Sequence, residues 1–197
     1  MNFELCLSFS KLLSYPNAQV KTFAADCYRQ LKDFDPQASA DFEPFSNFLA
    51  QQELAQIEEL YTSAFDLQAL SFPYVGYQLC GESQARTLFL MKLQEIYNQQ
   101  NFSSEGELPD HLGVMLRFIG TIPTPHGNPG GAQALTQHLQ LEIIGDALLP
   151  ALEKIIQGIE NPMHPYRQLL VSLQTYLMNL VVTELPASTR QKELSHG

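Results

Sequence analysis

The 197-residue chain has no tryptophan, only three cysteines, and 11 lysines and arginines against 21 aspartates and glutamates. Each shortage excludes something. Cys6, Cys27 and Cys80 are odd in number and far apart, with no C-x-x-C pair, so neither a disulfide framework nor a zinc ribbon is indicated. A formal charge of -10 repels phosphate backbones and disfavours nucleic-acid binding, which leaves a cationic partner as the natural counterpart. Long apolar runs are missing too. The most apolar stretch near the C-terminus, Leu169 to Leu185, is broken by Gln174, Asn179 and Glu184, short of a ~20-residue membrane span. Met1 to Glu4 lacks the basic opening of a secretory signal, so the expectation is a cytoplasmic protein with reduced thiols.

What is present is helical periodicity. With 45% hydrophobic residues the chain can bury a core, and its apolar residues recur at spacings of three and four. Val20, Phe23, Ala24, Cys27 and Leu31 form one stripe, and Leu54, Ile57, Tyr61, Ala64 and Phe65 form another. A third runs through Ala85, Leu88, Phe89, Leu93 and Ile96, and a fourth through Leu112, Met115, Leu116 and Ile119. Leu148 to Ile159 and Tyr166 to Val181 continue the pattern. Pro16-Asn17, Asp35-Pro36 and Asn161-Pro162 punctuate it, and Pro165 suits a first helical position. Alternating β-type runs are missing, so the expected fold is all-α, a single helical bundle of about seven to nine helices over residues 1–197.

Two segments break the periodicity. ALSFPYVGYQLCG, Ala69 to Gly81, is too apolar for a solvated loop and too broken for a helix, so it should pack against something. TIPTPHGNPGG, residues 121–131, reads as a flexible Pro/Gly connector, the kind of hinge that permits a homodimer by domain swapping.

Catalytic and metal chemistry find little support. Asp110 and His111 are adjacent, so on a helix they point about 100° apart and do not form a facing pair. Pro109 and Asp110 fit a first helical turn, where an acid complements the positive end of the macrodipole, and the same helix start also offers a recognition surface. His138 and Glu142 share a helix face and, with His111 as a third group in a metal-dependent hydrolase, make the enzymatic alternative; no second metal motif accompanies them. Gly127 to Gly131 lacks the lysine and the preceding strand of a phosphate loop. Tyr61 and Phe65, at helical spacing, read as core, with Tyr74, Tyr77 and Phe89 as further candidate pocket walls.

Three motifs then stand in order: LYTSAFD at Leu60 to Asp66, PYVGYQLCGES at Pro73 to Ser83, and ELPDHL at Glu107 to Leu112. Together they resemble the TorD/DmsD/NarJ family of redox-enzyme maturation chaperones, the third matching its E-x-x-D-H signature. YVGYQLCGES and ELPDHLGVMLRFI look closest to the NarJ-type branch, the delta subunit of nitrate reductases. The resemblance implies a TorD-like helical chaperone with no enzymatic activity and no cofactor or metal of its own. It implies as partner the apo catalytic subunit of a molybdenum enzyme, bound at a twin-arginine or remnant leader until its cofactors are inserted. A resident scaffold subunit of the finished enzyme is the other non-enzymatic reading.

By motif, the client-binding residues are Tyr61, Phe65 and Asp66 on the helix, Tyr74, Tyr77 and Glu82 in the loop, and Pro109, Asp110 and His111. The TorD and DmsD branches often carry tryptophan in that loop; here Tyr74 or Tyr77 would supply any stacking contact. Replacing Asp110 and His111 together by alanine is expected to weaken client binding by ~1 to 3 kcal/mol with the fold intact.

Overall fold

The computed structural model describes residues 3–122 and 131–184, and side chains over 3–122 and 135–183. Residues 123–130 of the Pro/Gly connector lie outside the described residues. The helices are α1 (Glu4–Leu12), α2 (Val20–Phe34), α3 (Pro36–Gln51), α4 (Leu54–Phe65), α5 (Val75–Cys80), α6 (Gln84–Gln99) and α7 (Leu112–Thr121). They are followed by α8 (Gly131–Glu142), a π-helical turn (Ile143–Leu148), α9 (Leu149–Gly158) and α10 (Pro165–Glu184). Since α8, the π turn and α9 are continuous, the described residues form nine helical rods, at the upper end of the expected number.

Local chemistry sets the boundaries. Pro36 opens α3 and the Asp35 carboxylate accepts the Ala38 N–H at 3.0 Å, so one Asp-Pro pair ends one helix and caps the next. The other Asp35 oxygen accepts from the Asn179 side chain at 2.9 Å, which ties that corner to α10. Ser172 donates to the Ala38 carbonyl and Thr175 to Asp41, both at 2.7 Å, along the same α3–α10 seam. On the other side α1 crosses α7, and α2 joins α1 to α3. The crossing is close because Gly120 presents no side chain: a Cβ there would stand 2.6 Å from Leu7 Cγ and 2.9 Å from the Leu7 backbone nitrogen.

The core is one contiguous apolar cluster running through these helices, in which the rings of Phe9, Phe42, Phe45 and Tyr166 pack in a chain of edge-on and tilted contacts. Two expectations shift. The apolar loop 69–81 does pack, but it also winds into the six-residue α5, which sits against α6 and α9. Its tie to α9 includes Lys154 donating to the Gln78 carbonyl at 2.7 Å. On α6 the buried side is Arg86, Leu93 and Tyr97, whereas Ala85 and Leu88 face outward. A buried acid on another element draws Arg86 inward and rotates the helix away from its simplest apolar stripe.

Candidate functional site

Pro73 to Val75 and Asp110 to Leu112 run antiparallel for one pair of residues. Val75 N–H donates to the Asp110 carbonyl and Leu112 N–H to the Pro73 carbonyl, both at 2.8 Å, and Tyr74 pairs with His111. The loop motif and the E-x-x-D-H motif, some thirty-five residues apart, are thus one object in space.

Asp110 lies beneath this bridge and is wholly buried. Its Oδ2 accepts from Arg86 Nε at 3.1 Å, and its Oδ1 has no hydrogen-bond partner. Arg86 in turn reaches Glu82 in a short ion pair, and its guanidinium lies 5.6 Å from the Tyr74 ring centre and 5.7 Å from that of Tyr77. Burial works to lower the Arg86 pKa, but the hydrogen bond and charge of Asp110, joined by Glu82, outweigh it and the net movement is upward. Gly76 is needed here: a Cβ would sit 2.8 Å from Phe89 and 2.9 Å from Asp110 Oδ2. The expected first-turn role of Asp110 is therefore replaced by a buried pairing role. The cap of α7 is His111 itself, whose Nδ1 accepts the Gly113 N–H at 3.1 Å, and the helix begins one residue later, at Leu112.

That cap fixes the histidine's chemistry. With Nδ1 accepting, the neutral ring carries its proton on Nε2 and is a donor there. Burial lowers its pKa, and the charges of Glu107 and Asp110 act the other way with less effect. Tyr74 packs edge-on against the ring, with centres 5.5 Å apart.

His111 and Tyr74 form one wall of a groove of about 470 Å³. Opposite stand Tyr61 and Phe65 of α4, and Tyr15, from the turn after α1, packs edge-on against Tyr61 at 5.6 Å. Tyr61 donates to the Leu13 carbonyl at 3.2 Å, which holds its ring between α1 and α4. Burial, then the charge of Glu107, pushes the phenols of Tyr61 and Tyr74 upward, so both stay neutral. Asp66 and Glu107 are exposed at the rim; Glu107 accepts from Tyr74 at 3.4 Å and from the Leu108 N–H at 2.8 Å. Of the rim cations, Arg117 is paired with Glu105 and Lys11 lies over the Phe23 ring, while Asp66 carries no ion pair among the described residues.

Of the nine candidate residues, Tyr61, Phe65, Asp66, Tyr74 and His111 line this groove. Asp110, Tyr77 and Glu82 surround Arg86 behind it, and Pro109 accepts a hydrogen bond from Tyr97 at 2.8 Å through its carbonyl. Arg86 went unnoticed as a site residue because nothing in QARTLF marks a buried cation. Lys11 and Tyr15 went unnoticed because α1 carries none of the three motifs. His138 and Glu142 are exposed on α8, and no group of three His, Cys, Asp or Glu side chains among the described residues is placed to hold a metal ion.

The profile described as nitrate reductase delta subunit matches residues 31–152, more than half of the chain, and its range holds all three motif segments. The chain belongs to this family. A relative from Bacillus subtilis (strain 168), named "Probable nitrate reductase molybdenum cofactor assembly chaperone NarJ", is 30% identical over 113 residues. That alignment takes in 56% of this chain and 61% of the relative, so it spans less than two thirds of the relative's length. The delta subunit match starts inside α2 and stops inside α9. Its range therefore omits α1, although Lys11 and Tyr15 help to line the groove.

Proposed function

We infer that this protein is a non-enzymatic assembly chaperone for the catalytic subunit of a nitrate reductase-like molybdenum enzyme. It acts in the cytoplasm as one helical domain and grips an N-terminal segment of the apo-subunit in the aromatic groove. The observation that carries the reading is the groove itself, to which all three motifs contribute. It combines an aromatic wall, a histidine N–H donor and unpaired carboxylate at the rim. A leader that presents arginine beside apolar residues meets both halves: the rings take its apolar side chains and Asp66 its cation. The histidine's Nδ1 is already engaged by a backbone N–H, so the site is suited to holding a chain and not to proton abstraction.

The test is affinity capture of the tagged protein from its native cytoplasm, with mass spectrometry of co-eluting chains and a molybdenum assay. A large catalytic subunit lacking molybdenum is the expected result. Recovery of the loaded enzyme would make this a resident subunit, and absence of any such partner would overturn the reading. For the groove, a labelled peptide of the client's N-terminus should bind the wild type about tenfold or more tightly than Asp66→Lys, the size of losing a charge-assisted contact. Equal affinities would remove the groove from the client surface.

A further inference from the structure

A second groove, of about 210 Å³, lies on a different face, between α6, α7 and the α8–π turn run. None of its residues lies in LYTSAFD, PYVGYQLCGES or ELPDHL, and none lines the aromatic groove. Its interior is apolar, with Leu93 and Ile96 of α6, Met115 of α7, and Leu139 and Ala147 on the facing wall. The apolar surface continues outward onto Leu88 of α6, 59% exposed and one turn before Lys92, and onto Leu135 of α8, 70% exposed and one turn before Leu139.

The rim is acidic in balance. Glu142 and Asp146, one turn apart, line it and are exposed, and neither carries an ion pair among the described residues. The one cation in the lining, Lys92, has its ammonium 3.1 Å from Glu95. The remaining titratable neighbour on α8 is His138, exposed one turn before Glu142.

We propose that this groove docks an amphipathic helix carrying lysine or arginine beside its apolar stripe, presented by a partner protein. Apolar side chains at helical spacing fill the groove and cover Leu135 and Leu88, and flanking cations meet the carboxylates of Glu142 and Asp146. The uncompensated rim acids argue against an acidic or neutral partner. They also argue against a second copy of this chain, whose formal charge is -10. The surface goes beyond the chaperone reading and stands without it.

The test is fluorescence titration of the full chain with a synthetic Leu/Lys amphipathic peptide of ~18 residues, about five helical turns. A scrambled version of the same composition, a Leu/Glu counterpart and a form with a photoreactive residue in the apolar stripe complete the set. The Leu/Lys peptide should bind and should crosslink to α6 or α8. The double charge reversal Glu142→Lys and Asp146→Lys, both at exposed positions, should weaken it by about tenfold or more and favour the Leu/Glu peptide. A control reversal on and just after α9, Glu153→Lys with Glu160→Lys, should change little. Equal binding of the scrambled peptide, or an equal loss in the control, would mean diffuse attraction to an acidic protein and overturn the proposal. Crosslinks to Tyr15 or Tyr74 would overturn it by placing the peptide in the aromatic groove. No peptide binding together with self-association abolished by the same reversal would name a second copy as the occupant and overturn it as well.

Discussion

Removing the Arg86 side chain strands a wholly buried carboxylate. Asp110 has one oxygen on that guanidinium and the other unpartnered, so nothing else among its hydrogen bonds takes over the charge. Arg86→Ala should therefore destabilise the fold by about 3–5 kcal/mol, read as a lowered urea midpoint with an unchanged slope. Arg86→Lys should recover part of it, since a point charge replaces the planar fork but not its stacking on Tyr74 and Tyr77. The same burial changes the expectation for alanine at 110 and 111. That pair of substitutions removes a core ion pair and a helix cap together, so it cannot separate binding from stability, whereas Asp66, at the surface, can.

His111 adds a pH dependence whose sign is set by its burial. Its folded-state pKa lies below the ordinary value of 6.5, so between the two the unfolded chain binds the extra proton and the folded chain does not. Stability from this residue is full above the ordinary value and is lost as pH falls towards the lowered one. His164, also lowered by burial, acts in the same direction. In His111→Asn the amide oxygen can still accept the Gly113 N–H while the titration is gone. The drop in urea midpoint between about pH 7.5 and about pH 5.5 should therefore be smaller in that variant than in the wild type. An identical drop would show that His111 titrates alike folded and unfolded.

Among the elements, the α1–α7 crossing is the least forgiving. At Gly120 a methyl group meets the Leu7 backbone, which cannot move aside as a side-chain tip can, so Gly120→Ala should cost about 1–3 kcal/mol. At Gly145, in the π turn, a Cβ meets nothing within 4 Å, so Gly145→Ala should be neutral or stabilise by up to about 1 kcal/mol. Thermal melts of the two variants check the contrast. Both are glycines in helical segments, and only the neighbouring element tells them apart.

That contrast also explains which elements were legible from the sequence. α4, α9 and α10 follow their stripes because their burial is plain hydrophobic periodicity, with Ile57, Leu152 and Leu173 all fully buried. α6 departs from its stripe because Arg86 answers a charge contributed from position 110, and no window of local sequence contains both partners. α5 was hidden for a related reason. Six residues between Tyr74 and Gly81 are too few for a periodic signal, and backbone bonds to residues 110–112 hold the segment in place.

For the whole molecule, the architecture was readable and the three motifs pointed to part of the groove's lining, but the wall beside α1 was not legible. Lys11 and Tyr15 lie about fifty residues ahead of Tyr61, and only the fold brings them to it. The acidic balance was visible as a sum, -10, while its arrangement was not: carboxylates stand at the rims of two separate grooves.

The α3–α10 seam has a consequence for how the protein is made. Ser172, Thr175 and Asn179 hold residues that precede them by 134 to 144 positions. A chain emerging from the ribosome shows the α3 face, with Phe42 and Phe45, to the cytosol until α10 arrives to cover it. The fold is thus unfinished through most of the chain's own synthesis. Any product that stops before Pro165 would display the kind of surface that quality-control proteases select.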